Sequence, residues 1–87
     1  MFYLYILRNN HNRLYIGHTK NVEQRLTDHK TIRGAKFIKD YGEFKLIYTE
    51  EFHTRSEAMS REKQLKGWTR AKKEALIARD LVLLKRL

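Results

Sequence analysis

The stretch FYLYILRNNHNRLYIGH, residues 2–18, holds two apolar runs with tyrosines at alternating places, joined by the polar loop Asn9-Asn10-His11-Asn12. Residues 2–7 and 13–17 read as the two strands of a hairpin. Their register decides the fold. With an effectively odd connection, such as three residues with a bulge, positions whose numbers sum to an even value face each other. Phe2, Leu4, Ile6, Leu14 and Ile16 then share one face, while Tyr3, Tyr5 and Tyr15 share the other, with Tyr5 close to opposite Tyr15. An even connection would mix the two sets, so the segregation favours the odd one. A tyrosine can pack, donate a hydrogen bond or hold a water, and the rest of the chain has to choose among these.

Downstream, Asn21 or Thr19 can cap a helix over about 21–30, in which Val22, Leu26 and His29 recur at helical spacing. Arg25 and His29 lie one turn apart beside that stripe, so both can point back toward the sheet. The segment AKFIKDY, residues 35–41, reads as a second short helix, and EFKLIYTEEF, residues 43–52, as a third strand. In it Phe44, Leu46 and Tyr48 alternate with Lys45, Ile47 and Thr49. Thr54 and Glu57 form a capping box for a helix closed by Gly67, with Ala58, Met59, Glu62 and Leu65 as its inward stripe. Glu62 is out of place there, since a carboxylate in a buried stripe is costly unless a cation or hydrogen bonds meet it. Thr69 caps a further helix with Ala71, Ala75 and Leu76 inward, and LVLLKRL, residues 81–87, forms a last helical segment over the sheet. The expected fold is a small α/β (α+β) domain, residues 1–87, with a three-stranded antiparallel sheet flanked by helices.

Composition narrows the partners. Eighty-seven residues suit one core, and the absence of cysteine excludes disulfides and Cys-based zinc sites and fits a cytoplasmic location. MFYLYIL is only seven residues before Arg8, too short for a signal peptide or a membrane span. Nineteen Lys and Arg against ten Asp and Glu give +9, which favours a polyanion over a merely soluble basic surface. Acidic lipid is the weaker rival, because no helix sets a basic face against Trp and Phe. Arg61, Lys63, Lys66, Arg70, Lys72 and Lys73 bracket two helices and can track phosphates. The four histidines, at 11, 18, 29 and 53, lack the spacing of a zinc site on one helix.

YLYIL, then LYIGHT, VEQRLTDHK and SEAMSREKQLK in that order, resemble the GIY-YIG nuclease superfamily, and most of all its small free-standing bacterial members. The resemblance runs from the first strand to about residue 77. It implies hydrolysis of nucleic-acid phosphodiesters with one divalent ion, Mg2+ or Mn2+, on a sheet of three antiparallel strands. It also implies DNA as the favoured nucleic acid over RNA, and structure-selective cleavage in DNA repair or recombination. By that likeness Tyr5 and Tyr15 line the catalytic face, Arg25 contacts phosphate, His29 stands near the scissile group and Glu62 binds the metal. His18 and Gly17 fall beside the substrate, with Lys63, Lys66 and Arg70 as further phosphate contacts.

The chemistry is consistent with those roles. Phosphodiester hydrolysis needs an attacking water, relief of charge on phosphorus and help for the leaving oxygen. A tyrosine can take a proton from water only where cations stabilise the phenolate. An arginine fork pairs with two phosphate oxygens at once. One carboxylate suits magnesium that keeps its waters and borrows substrate oxygens, so metal is held weakly without substrate. Bland readings stand beside these: the tyrosines as strand packing, Glu62 as a partner of Lys66 or Arg25, and Trp68 as a packing anchor. Tyr3-Leu4-Tyr5 stands where the family name expects Gly-Ile-Tyr, and no Asn follows position 21. That motivates an alternative, a nucleic-acid-binding module that has lost hydrolysis. With no attached module in view, a protein partner would supply specificity.

Overall fold

The β1–β2 hairpin closes through a three-residue loop, in which the Asn9 N–H donates to the Arg13 carbonyl and the Asn12 N–H to the Asn9 carbonyl, both at 3.0 Å. The computed structural model describes residues 1–24 and 44–87. Asn12 has φ of 65°, a left-handed conformation that asparagine accepts more readily than most residues. Buried Asn9 organises the loop from inside: its Oδ1 accepts from the His11 and Arg13 backbone N–H groups at 3.0 and 2.8 Å. The odd connection expected from the tyrosine pattern is therefore present. The alignment is offset by two residues, however, so that Tyr5 stands opposite Gly17 and Tyr15 opposite Leu7.

Strands β1 (Phe2–Asn9), β2 (Leu14–Thr19) and β3 (Phe44–Phe52) pair antiparallel in the order β2-β1-β3, with β1 central. One face packs Leu4, Ile6 and Tyr48 against the helices; the other gathers Tyr5, Leu7 and Phe44 with Tyr15 against them. Simple alternation put Phe44, Leu46 and Tyr48 on one face. The structure instead shifts register between Ile6, which pairs Tyr48, and Leu7, which pairs Leu46. That bulge at Ile47 sends Phe44 and Tyr48 to opposite faces, because one extra residue reverses side-chain parity.

Helix α1 (Arg55–Lys66) opens on the expected capping box, Thr54 Oγ1 accepting from the Glu57 N–H while the Glu57 carboxylate accepts from the Thr54 N–H. Helix α2 (Arg70–Ile77) is capped by Thr69, and α3 (Leu81–Arg86) by Asp80. Ala58 and Leu65 of α1 and Ala75 and Leu76 of α2 are buried as expected, whereas Met59 is 47% exposed and Ala71 is exposed. The terminal run packs less than its composition suggests. Leu84 packs against the described core, while Leu81, Val82 and Leu83 stay exposed. Asn21 caps a helical turn, its Oδ1 accepting from the Gln24 N–H at 3.0 Å. The rest of that expected helix and the segment 35–41 lie outside the described residues. Among those described, no helix is long and apolar enough to cross a membrane.

The difference between the two sides of α1 is measurable. Leu65→Ala should cost about 2–5 kcal/mol in urea unfolding, since it empties a site with no exposure. Met59→Ala should stay within about 0.5 kcal/mol.

Candidate functional site

Leu4 of the central strand pairs with His18 on one side and Glu50 on the other, so His18, Leu4 and Glu50 form a rung across the sheet. Helix α1 lies over that rung. Glu62 reaches β2, its Oε1 lying 3.0 Å from His18 Nδ1, and Arg61 reaches β3 with two hydrogen bonds to the Glu50 carboxylate at 2.9 and 3.0 Å. Tyr48 donates to the same carboxylate at 2.5 Å. Lys66 closes the first group, its ammonium 3.2 Å from Glu62 Oε2.

The next rung holds Gly17, Tyr5 and Thr49 and faces away from α1 by parity. Even so, Tyr5, Gly17, His18 and Glu62 line one cleft of about 760 Å3, together with Lys66 and Lys20. Gly17 makes this possible. A Cβ built there would stand 2.5 Å from the Tyr5 hydroxyl oxygen and 2.6 Å from Cζ, so the phenol lies directly over the glycine. The ring thus lies across β2, the outer strand of the described sheet, at the one place in that strand with no side chain in its way.

Electrostatics keep the carboxylates charged. Burial works against the Glu62 charge, but hydrogen bonds from His18 and then Lys66 outweigh it and hold the carboxyl below its usual value. Glu50 behaves likewise, burial opposing ionisation and the Arg61 and Tyr48 hydrogen bonds prevailing. Burial pushes the Tyr48 phenol up to about 12, with the Glu50 hydrogen bond adding to it. An ionised carboxylate can only accept, so His18 carries its proton on Nδ1, and Nε2 is the nitrogen left for other work. Among the described residues no three His, Cys, Asp or Glu side chains gather in a ligand cluster. The donor set at Glu62 suits a hydrated hard cation held by one carboxylate, in competition with the exposed Lys66 ammonium, and does not suit a closed zinc site.

The expected site residues divide into four groups. Tyr5, Gly17, His18, Glu62 and Lys66 come together in the cleft. Tyr15 is a neighbour of Tyr5 in the cluster on the far face, with Asn9 Nδ2 3.4 Å from its hydroxyl, and Lys63 lines a shallower groove along α1 that shares Glu62 with the cleft. Arg70 is elsewhere: it donates to the Asn12 carbonyl at 2.6 Å and to Glu74 at 2.9 Å, tying α2 to the hairpin loop. Arg25 and His29 lie outside the described residues. Sequence reasoning missed Lys20 and Arg55, both on the cleft wall. The spacing of Arg55, Met59, Glu62 and Lys66, which is that of one helix face, was the available signal.

A model of the GIY-YIG catalytic domain matches residues 1–75. The chain belongs to the GIY-YIG catalytic domain family. That family is one of nucleases, and the domain implies binding to nucleic acid. A UPF0213 protein of Natronomonas pharaonis is 42% identical over 76 residues, which span 87% of this chain and 89% of that one. A UPF0213 protein of Oceanobacillus iheyensis is 43% identical over 75 residues, 86% of this chain and 87% of that one. The solution structure of the UPF0213 protein BH0048 of Bacillus halodurans superposes with a TM-score of 0.59 at 37% identity, covering 90% of this chain and 84% of that one.

Two consequences follow from the geometry. Gly17→Ala forces the Tyr5 ring to move and should cost about 1–3 kcal/mol, read by urea unfolding. A carboxyl held below its ordinary 4.5 adds stability that is complete above that pH and is lost as pH falls through the folded-state value. The urea midpoint should therefore drop as pH falls below about 4.5, and Glu62→Gln should make that drop shallower.

Proposed function

We propose that this protein is a divalent-metal-dependent endonuclease that cleaves DNA, with Tyr5, Tyr15, Arg25, His29 and Glu62 serving the scissile phosphate and His18 positioning Glu62. The observation that carries the reading is the convergence of Tyr5, His18 and Glu62 on one cleft from three separate segments. Family membership supports the nuclease class. Glu62 would hold Mg2+ or Mn2+, which when bound polarises the phosphate and relieves its charge. His18, donating Nδ1–H to Oε1, fixes the plane of that carboxylate and leaves Oε2 to the cation once Lys66 gives way. Tyr5, with its ring seated on Gly17, would first lose its own proton to solvent where the cations around the phosphate stabilise the phenolate. It would then orient the attacking water and take its proton as the new P–O bond forms and the bond to the leaving oxygen breaks, that oxygen being protonated by solvent. Arg25 would pair with non-bridging oxygens. A role in repair or recombination and a cytoplasmic setting belong to the same reading.

Its test is cleavage of flapped, branched and single-stranded DNA with magnesium or manganese. Glu62→Ala and EDTA should each slow cleavage by at least about a hundredfold, while binding in EDTA persists and weakens with salt. Cleavage that survives both would end the proposal. Salt-sensitive binding with no cleavage by the parent protein, indifferent to Glu62→Ala, would select the binding module instead.

A further inference from the structure

Two cations on the cleft wall are unexplained by the fold. Lys20, just past the end of β2, and Arg55, the first residue of α1, are exposed, line the cleft, and have no ion-pair partner among the described residues. Arg8, Arg61 and Arg70, by contrast, are spent on Glu74, Glu50 and Glu74. Arg55 also sits where a positive charge opposes the helix dipole, so helix stability does not account for it.

Its position relative to Glu62 is fixed by helix geometry. Seven residues bring a side chain back to the same face, and at about 1.5 Å per residue they place Arg55 roughly 10 Å along the axis from Glu62. At that distance Arg55 meets a different phosphate of the same backbone from the one at Glu62. Lys66 lies one turn beyond Glu62 on the other side, so one face of α1 reads cation, carboxylate, cation along the cleft.

We infer that Arg55 and Lys20 form a phosphate-binding subsite remote from the reacting centre, which grips the sugar-phosphate backbone at a neighbouring nucleotide beyond the phosphate at Glu62. The inference rests on the nuclease reading and adds a length requirement to it: the cleft takes a polynucleotide strand and holds a dinucleotide only at its centre. The residues bind substrate and do not take part in bond breaking.

The experiment measures Kd by fluorescence anisotropy in EDTA, for a labelled single strand of about twelve nucleotides and for a labelled dinucleotide, at several salt concentrations. Arg55→Ala and Lys20→Ala should each weaken binding of the longer strand by roughly five- to tenfold and reduce the salt slope by about one. Both should leave dinucleotide affinity at the parent's level, Arg55→Lys should restore most of the loss, and neither variant should melt earlier than the parent. Lys85→Ala, on α3 and away from the cleft, is the control. Variants that bind the longer strand as the control does, or that lose dinucleotide and longer strand alike, would overturn the subsite while leaving the nuclease reading standing. A parent protein that binds neither probe at low salt would overturn both.

Discussion

Helix α1 is held to the sheet by very little grease and two directional polar contacts, and the site depends on that arrangement. Of its twelve residues only Ala58 and Leu65 are buried. Burying a leucine is worth about 1.5–3 kcal/mol, whereas a partly exposed ion pair contributes about 0.2–1 kcal/mol. Adhesion therefore comes from Leu65. Register comes from the polar pairs, because a slide of one turn, about 5.4 Å, would break Arg61–Glu50 and Glu62–His18 together. Successive residues of the helix reach opposite outer strands, which centres α1 over Leu4 and sets the carboxylate of Glu62 at the cleft.

The same economy sorts the cations. Glu74 takes two hydrogen bonds from Arg8, at 2.8 and 2.5 Å, and one from Arg70, so a single carboxylate joins the central strand, the hairpin loop and α2. Trp68 packs on the core beneath Arg61 and Lys72, whose charged groups stand 5.2 and 4.4 Å from the ring centre. The net charge of +9 already subtracts the carboxylates; what the pairs change is its distribution, since Arg8, Arg61 and Arg70 are engaged by Glu74 and Glu50. Among the described residues, the cations facing the cleft come from the end of β2 and from one face of α1.

Much of the fold was legible because burial writes itself into alternation. The separation of Leu4, Ile6 and Ile16 from Tyr5 and Tyr15 implied an odd loop, and the capping residues Asn21, Thr54 and Thr69 marked helix starts through a hydrogen bond each can make locally. What failed depended on loop closure and strand pairing that alternation does not encode. The two-residue offset of β2 follows from how Asn9 and Asn12 close the loop and leaves parity unchanged, so alternation cannot reveal it; the bulge at Ile47 arises in pairing with β1 and reverses the parity that simple alternation implied. Met59 read as core because it is apolar at the right spacing, yet the stripe it shares with Arg55, Glu62 and Lys66 is the one that faces the open cleft side. Glu62 was legible as an anomaly; that His18 meets it was not, since only the offset register brings His18 onto the rung of Leu4 beneath α1.

That register also explains how consecutive residues of one strand can serve one ligand. Gly17 and His18 point to opposite faces, so Tyr5, which pairs with Gly17, and Glu62, which meets His18, start on opposite sides of the sheet. In the interior of a wide sheet they could never converge. Here β2 is the outer strand of the described sheet, so a cleft can wrap round its edge. The absence of a side chain at Gly17 lets the phenol cross the strand to meet it. The requirement is steric and local: any Cβ at that position occupies the space of the ring itself. A glycine on the edge strand, directly opposite the tyrosine, is thus the condition under which a two-sided sheet yields a single site.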